Sequence, residues 1–255
     1  MDFHFGALVI PSHPLFETLS FILGWQYYRL LRNRKGDFLT EDYRWTLVIG
    51  AALGALIGSR LLASLESPAL FLHPPSWLYY IAGKTVVGGI VGGIFGVEIT
   101  KWITGTKRRT GDLYAFPLLF AIMIGRVGCL LTGVSDHTVG LPSNLPWAFD
   151  QGDGIARHPT SLYEILFLGI FWFMLSRLAK KVSLKEGELF RLSIIGYFIF
   201  RFFVEFIKPM EPIALGISAI QWVILFVILY YGFSLWTSRS RPNSQNGIES
   251  KHVLG

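Results

Sequence analysis

Apolar residues come in seven long runs divided by short polar or charged connections: roughly Leu15–Leu31, Trp45–Leu65, Trp77–Ile103, Leu113–Leu131, Ser161–Leu178, Leu189–Phe206 and Ile213–Trp236. About 20 residues of helix are needed to cross the hydrocarbon layer, so each run predicts one transmembrane helix. The first run is the weakest, being short and carrying Glu17. The fold class is therefore an all-α integral membrane protein with seven transmembrane helices. No internal repeat relates its halves.

Lys and Arg in the connections orient the chain. The first connection holds Arg29, Arg32, Arg34, Lys35 and Arg44. The third has Lys101, Lys107, Arg108 and Arg109, and the fifth Arg177, Lys180, Lys181, Lys185 and Arg191. Arg239, Arg241 and Lys251 follow the last run. The other side has only Arg157 and Lys208. This alternation predicts an outside N-terminus and a cytoplasmic C-terminus. Arg60, Lys84, Arg126 and Arg201 remain inside spans, most of them toward the outer end, as is Glu17.

Composition agrees with a membrane class: 52% of residues are apolar, 16% are charged, and mean hydropathy is +0.47. No polar linker divides the runs, so residues 1–237 form one membrane domain. Residues 238–255, rich in Ser, Asn, Arg and Gly, are expected to be a disordered cytoplasmic tail. The net charge of +6 is distributed between spans as topology signals, which argues against a nucleic-acid partner. A single cysteine, Cys129, excludes an internal disulfide and a Cys-based metal site. No His/Cys/carboxylate cluster has metal-ligand spacing, and no nucleotide loop or nucleophile elbow is present. The N-terminus has no basic n-region or cleavage pattern, so the first run is expected to act as its own insertion signal.

Candidate chemistry centres on Gly125-Arg126-Val127-Gly128-Cys129-Leu130-Leu131-Thr132-Gly133, at the end of the fourth run. Charge at that depth is expensive and commonly functional. Arg60, Arg126, Arg157 and Arg201 offer planar forks that suit phosphate, at the depth of lipid headgroups. Single arginines can also snorkel or pair with Glu17 and Glu205; three intraspan arginines at one depth favour a headgroup site. Tyr197, Arg201 and Glu205 are spaced four apart and share a helix face. Gly88-x-x-x-Gly92 and Gly89-x-x-x-Gly93 predict close helix packing. His158, between Arg157 and Pro159, is a candidate general base or helix cap. His137 reads as a solvated loop residue, as do Asp136 and Asp153.

At these residues the chain resembles the prolipoprotein diacylglyceryl transferases. The family signature Gly-Arg-x-Gly-Asn-Phe-x-Asn-Gly-Glu is similar to Gly125 through Val134. Its Arg-His-Pro-x-Gln-Leu-Tyr-Glu is similar to Arg157 through Glu164, with Ser161 where Gln is usual. Its Tyr-x-x-x-Arg-x-x-x-Glu-Phe is present as Tyr197, Arg201, Glu205 and Phe206. Gly58-Ser59-Arg60 resembles its Gly-Gly-Arg, and Gln221 matches a Gln of its last span. Departures are Val87, where the family has a critical His before Gly-Gly, then Cys129, Thr132 and Val134 within the signature, and Glu17 in place of a Tyr.

The resemblance implies transfer of the diacylglyceryl group of phosphatidylglycerol to the cysteine thiol of a secreted prolipoprotein precursor. It places the chain in a bacterial inner membrane with an outward-facing site and no metal or organic cofactor. Arg126 and Arg201 would hold the phosphate, and Glu205 would orient Arg201. His158, Tyr197 or another group would supply the base. Arg60, Arg157, Gly125, Gly128, Gly133 and Gln221 would bind substrate. The loss of polar partners leaves two alternatives, transfer to another acceptor and a non-catalytic phospholipid- or lipoprotein-binding membrane protein. A transporter would instead place ionisable residues at mid-membrane.

Overall fold

The computed structural model describes residues 2–5, 8–37, 39–106, 109–136 and 138–240. Each apolar run contains one long helix: α1 (Ser12–Lys35), α2 (Glu41–Ser64), α5 (Val86–Ile103), α6 (Asp112–Thr132), α7 (Thr160–Lys181), α8 (Glu188–Glu205) and α9 (Ala219–Ser240). Two short helices, α3 (Pro68–Leu72) and α4 (Tyr79–Ala82), lie between α2 and α5. Small antiparallel hairpins open the chain, β1 (Asp2–Phe5) with β2 (Leu8–Pro11), and fasten the long loop before α7, β3 (Phe149–Asp150) with β4 (Ala156–Arg157).

Helices α2, α5, α6, α7 and α9 are long and apolar enough to cross a membrane. Helix α8 is also 18 residues long but carries Glu188, Arg191, Arg201 and Glu205. Its outward faces, like those of the others, expose large apolar side chains such as Phe203, Ile170 and Phe226. Such faces fit hydrocarbon rather than water. The protein is a mostly helical, multi-pass membrane protein.

Two helices begin later than their apolar runs. The third run, expected to be helical from Trp77, starts its long helix at Val86. Gly83 is extended, and Thr85 caps α5 by accepting from the Gly88 N–H at 3.1 Å. Lys84 therefore stands in the connection, not inside a span as expected. The seventh run starts its helix at Ala219 instead of Ile213. Leu215 at φ 54° and Gly216 at φ 74° turn the chain there, which a right-handed helix does not allow. At its far end α9 continues to Ser240. Residues 241–255 lie outside the described residues, as do Lys107, Arg108 and His137.

Glycine sets the tightest seam. A Cβ on Gly88, Gly92 or Gly96 would run into the backbone of Gly58, Gly54 or Gly50 across α2, so these two helices touch main chain to main chain. Of the two spaced pairs seen in the sequence, Gly88 and Gly92 form this contact, while Gly89 and Gly93 face Ser59, Ala51 and Ala55 with more room. Helix α1 packs along α6, with Gly24 against Ala121 and Gly128 against Phe16. Asp112 accepts from the N–H groups of Gly187 (2.6 Å) and Phe190 (3.0 Å), capping α8 from α6. The buried core runs through Leu62, Val87, Phe116, Leu119, Leu168, Ile194 and Phe198.

Candidate active site

Four of the expected site residues meet around a residue that sequence reasoning had left within a motif. Arg126 comes from the last turns of α6, Tyr197, Arg201 and Glu205 from one face of α8, and Glu164 from the second turn of α7. None of the five is more than 6% exposed. Tyr197 donates to Glu164 Oε1 at 2.6 Å. Arg126 Nε approaches the same oxygen at 2.9 Å, an ion-pair contact without hydrogen-bond alignment. Arg201 donates to Glu164 Oε2 at 3.2 Å and to Glu205 at 3.1 Å. Glu164 thus draws two guanidinium groups from different helices onto one carboxylate.

Burying two cations in a membrane requires such partners, because each isolated charge would lose several kcal/mol of hydration. Two arginines and two glutamates balance in charge, yet the N–H donors are not all satisfied. Among the described residues, Arg201 Nε is buried without a hydrogen bond, and Arg126 Nη1 finds only the Cys129 sulphur at 3.7 Å. The cluster is a pair of guanidinium forks held on one carboxylate, with N–H donors left unpaired among the described residues.

Two further titratable groups lie within electrostatic reach of this cluster, of which the sequence had flagged only Lys208, as a loop charge. Glu66 follows α2, and Lys208 follows α8. Burial, then the negative charge of Glu205, pushes the Glu66 carboxyl up to about 7, against the opposing pull of Lys208 and Arg201. Burial, then the positive charge of Arg201, lowers the Lys208 ammonium. Lys208 stands three residues after Glu205, and that helical spacing was the available signal.

The other expected residues lie outside the buried cluster. Arg60 donates to the carbonyls of Ile81, Ala82 (3.2 Å) and Gly83 (3.1 Å), tying α2 to the end of α4. Arg157 pairs with Asp153 at 2.6 Å in the loop, and its hydrogen bond holds the Asp153 carboxyl below the ordinary range. Asp153 is thus a partner of Arg157 rather than merely solvated. His158 Nδ1 lies 3.3 Å from the Tyr163 hydroxyl, which accepts from Trp147 at 2.7 Å. His158 does not cap α7: Pro159 occupies the cap position, with no side-chain bond.

A Cβ on Gly125 would lie 4.0 Å from the Ser20 side chain, and one on Gly128 would run into Phe16, so both face α1. Gly133, at φ 67°, ends α6, and a Cβ there would strike the Gln151 carbonyl. Gln221 is fully buried; its amide donates to the Phe202 carbonyl at 3.1 Å and accepts from the Ser218 N–H at 2.9 Å. It thereby fixes the start of α9 beside Arg201. Among the described residues no group of His, Cys, Asp and Glu could hold a metal ion.

Comparison with known proteins decides the family. A family model described as prolipoprotein diacylglyceryl transferase matches residues 1–237. The chain belongs to the prolipoprotein diacylglyceryl transferase family. Relatives include the phosphatidylglycerol–prolipoprotein diacylglyceryl transferase of Bordetella parapertussis, 30% identical over 94% of this chain and 95% of that protein. The protein of the same name from Methylococcus capsulatus is 29% identical over 88% of this chain and 87% of its own. That of Solidesulfovibrio magneticus is 28% identical over 96% and 95%. The family match thus covers all seven long helices but for the last three residues of α9.

Proposed function

We propose that this protein transfers the diacylglyceryl group of phosphatidylglycerol to the cysteine thiol of a prolipoprotein precursor. The observation that carries the proposal is the pair of guanidinium groups, Arg126 and Arg201, drawn together on Glu164 with donors to spare. Seven spans with an outside N-terminus and a cytoplasmic C-terminus would put this cluster at the outer face of a bacterial inner membrane. Residues 1–237 would form the whole membrane domain.

In the reaction the thiol gives up its proton, the sulphur bonds to the glycerol carbon of the diacylglyceryl group, and the bond from that carbon to phosphate oxygen breaks. Glycerol phosphate leaves with the electron pair. Arg126 and Arg201 stabilise the negative charge that grows on the leaving phosphate. Glu164, Glu205 and Tyr197 position them, while Arg60, Arg157 and Gln221 hold the surrounding segments. Val87 is fully buried and has no exchangeable side-chain proton. His158 faces Tyr163 rather than the arginines. Glu66, with its carboxyl pushed up to about 7, is the group matched to accept a thiol proton near neutral pH.

The test is purified protein in nanodiscs with phosphatidylglycerol and a synthetic peptide carrying the lipid-acceptor cysteine. Mass spectrometry should find the diacylglyceryl adduct on that cysteine, with glycerol phosphate released in equal amount. Lipid binding that depends on Arg126 and Arg201 without either product would replace the transferase reading with that of a lipid-binding protein.

A further inference from the structure

The bundle has a second basic site at the end opposite the Arg126–Glu164–Arg201 cluster. Contacts along α1 and α6 define the two ends. Ser12 at the start of α1 touches Thr132 at the end of α6 (2.8 Å), and Tyr28 near the end of α1 stacks on Tyr114 at the start of α6 (4.4 Å between ring centroids). Beside Tyr28, the residues Trp25, Arg29 and Arg32 share one face of α1, at helical spacings of four and three. Glu41, Arg44 and Trp45 share a face of the first turns of α2 in the same way. The two faces enclose a half-open cavity of about 270 Å³ lined by these six residues.

Its charges do not cancel. Buried Arg44 is held by Asp37, with Nε at 3.1 Å, and by Glu41 at 2.6 Å. Arg32 pairs with Glu41 at 3.3 Å. Exposed Arg29 has no ion-pair or hydrogen-bond partner among the described residues. Three guanidinium groups thus meet two carboxylates, and one positive charge is left over. The indoles of Trp25 and Trp45, with centroids 5.4 Å apart, form one wall, and such rings settle at the headgroup level of a bilayer. Exposed Phe21 and Ile49 stand one turn deeper on the same two faces and continue the cavity along the apolar surface.

We infer that this cavity binds the phosphodiester headgroup of an anionic phospholipid from the leaflet at that end of the bundle. Arg29 and Arg32 grip the phosphate, the indoles flank the glycerol, and the acyl chains lie along Phe21 and Ile49. An inorganic phosphate ion shares the headgroup chemistry but has no use for the apolar continuation. The site is separate from the proposed donor-lipid site and does not depend on transferase activity.

The experiment uses the full chain in nanodiscs with phosphatidylglycerol bearing a photoactivatable headgroup, followed by peptide mapping. Adducts are expected on the segment from Trp25 to Trp45. The double variant Arg29→Gln/Arg32→Gln should lower them about tenfold, as loss of charge-assisted contacts worth one decade of affinity requires. Arg29 is exposed and unpartnered, and the Arg32 pair is partly exposed, so the variant should keep the parent melting temperature. Equal labelling by a phosphatidylcholine probe, or undiminished labelling of the variant, would overturn the inference. Displacement by millimolar inorganic phosphate would assign the cavity to a soluble anion and overturn it too.

Discussion

Glu164 is the residue whose loss should do most damage to the arginine cluster, and Glu164→Gln tests this with little change in shape. The substitution removes a carboxylate that is 1% exposed and lies 2.9 Å from Arg126, 3.2 Å from Arg201 and 2.6 Å from the Tyr197 hydroxyl. The two arginines do not suffer equally. Arg201 keeps Glu205 at 3.1 Å, whereas Arg126 keeps only the Cys129 sulphur at 3.7 Å among the described residues. The change therefore amounts to one broken buried ion pair, about 3–5 kcal/mol, plus about 1 kcal/mol for the weakened tyrosine hydrogen bond. At roughly 2–4 °C per kcal/mol for a chain of this size, the melting temperature should fall on the order of 10 °C. Glu205→Gln should cost clearly less, because Arg201 then keeps Glu164. Thermal unfolding in detergent, followed by the change in fluorescence, measures both. Equal shifts for the two variants, or a shift of Glu164→Gln within error of zero, would refute the argument that one carboxylate holds both guanidinium groups.

Other consequences follow from single contacts. Because Glu66 carries its proton up to about pH 7 in the fold but only to about 4.5 when unfolded, its contribution to stability is present below pH 4.5 and is lost as pH rises through 7. Glu66→Gln should flatten that pH dependence of the melting temperature and, in a peptide-transfer assay, remove the rise in rate near neutrality. Gly92→Ala should cost about 1–3 kcal/mol by forcing α2 and α5 apart, seen as a lower melting temperature; no change would mean that the glycine seam opens freely. Gln221→Ala leaves the Phe202 carbonyl and Ser218 N–H without their partner and should cost about 1–3 kcal/mol. The same chemical-denaturation midpoint as the parent would contradict its role as a fastener.

Much of this arrangement was legible because helical spacing and charge depth depend on local sequence alone. The seven runs each mark a helix, and the four-residue spacing of Tyr197, Arg201 and Glu205 does place them on one buried face. Glu164 carried a signal too, as the single carboxylate inside the fifth run, but its role depends on two other helices reaching it. Glu66 and Lys208 look like ordinary loop charges until the fold brings them under the influence of Arg201 and Glu205. The allocation of Arg60 and Arg157 was illegible for the opposite reason. Their partners are backbone carbonyls of α4 and the Asp153 side chain, and nothing in an arginine's position says whether it will grip its own chain or a ligand. The late starts of α5 and α9 depend on short turns that hydropathy averages away.

Position 87 gives the clearest contest between packing and chemistry. The family resemblance leads one to expect a histidine there, immediately before the paired glycines, and this chain has valine. Val87 has no exposed surface, lies in the first turn of α5 and belongs to the same core as Leu62 and Ile90. A histidine there would be larger than the space valine fills and would bring ring nitrogens into apolar surroundings. Overpacking costs about 1–3 kcal/mol, and an unsatisfied buried polar group about as much again. Val87→His should therefore lower the melting temperature without raising the rate of diacylglyceryl transfer. If turnover rises instead, the core around α5 has room for an acid–base group, and Glu66 loses its claim to the thiol proton. If turnover stays level while Glu66→Gln abolishes it, proton transfer in this protein belongs to the end of α2, and the arginine grip on phosphate works without the histidine.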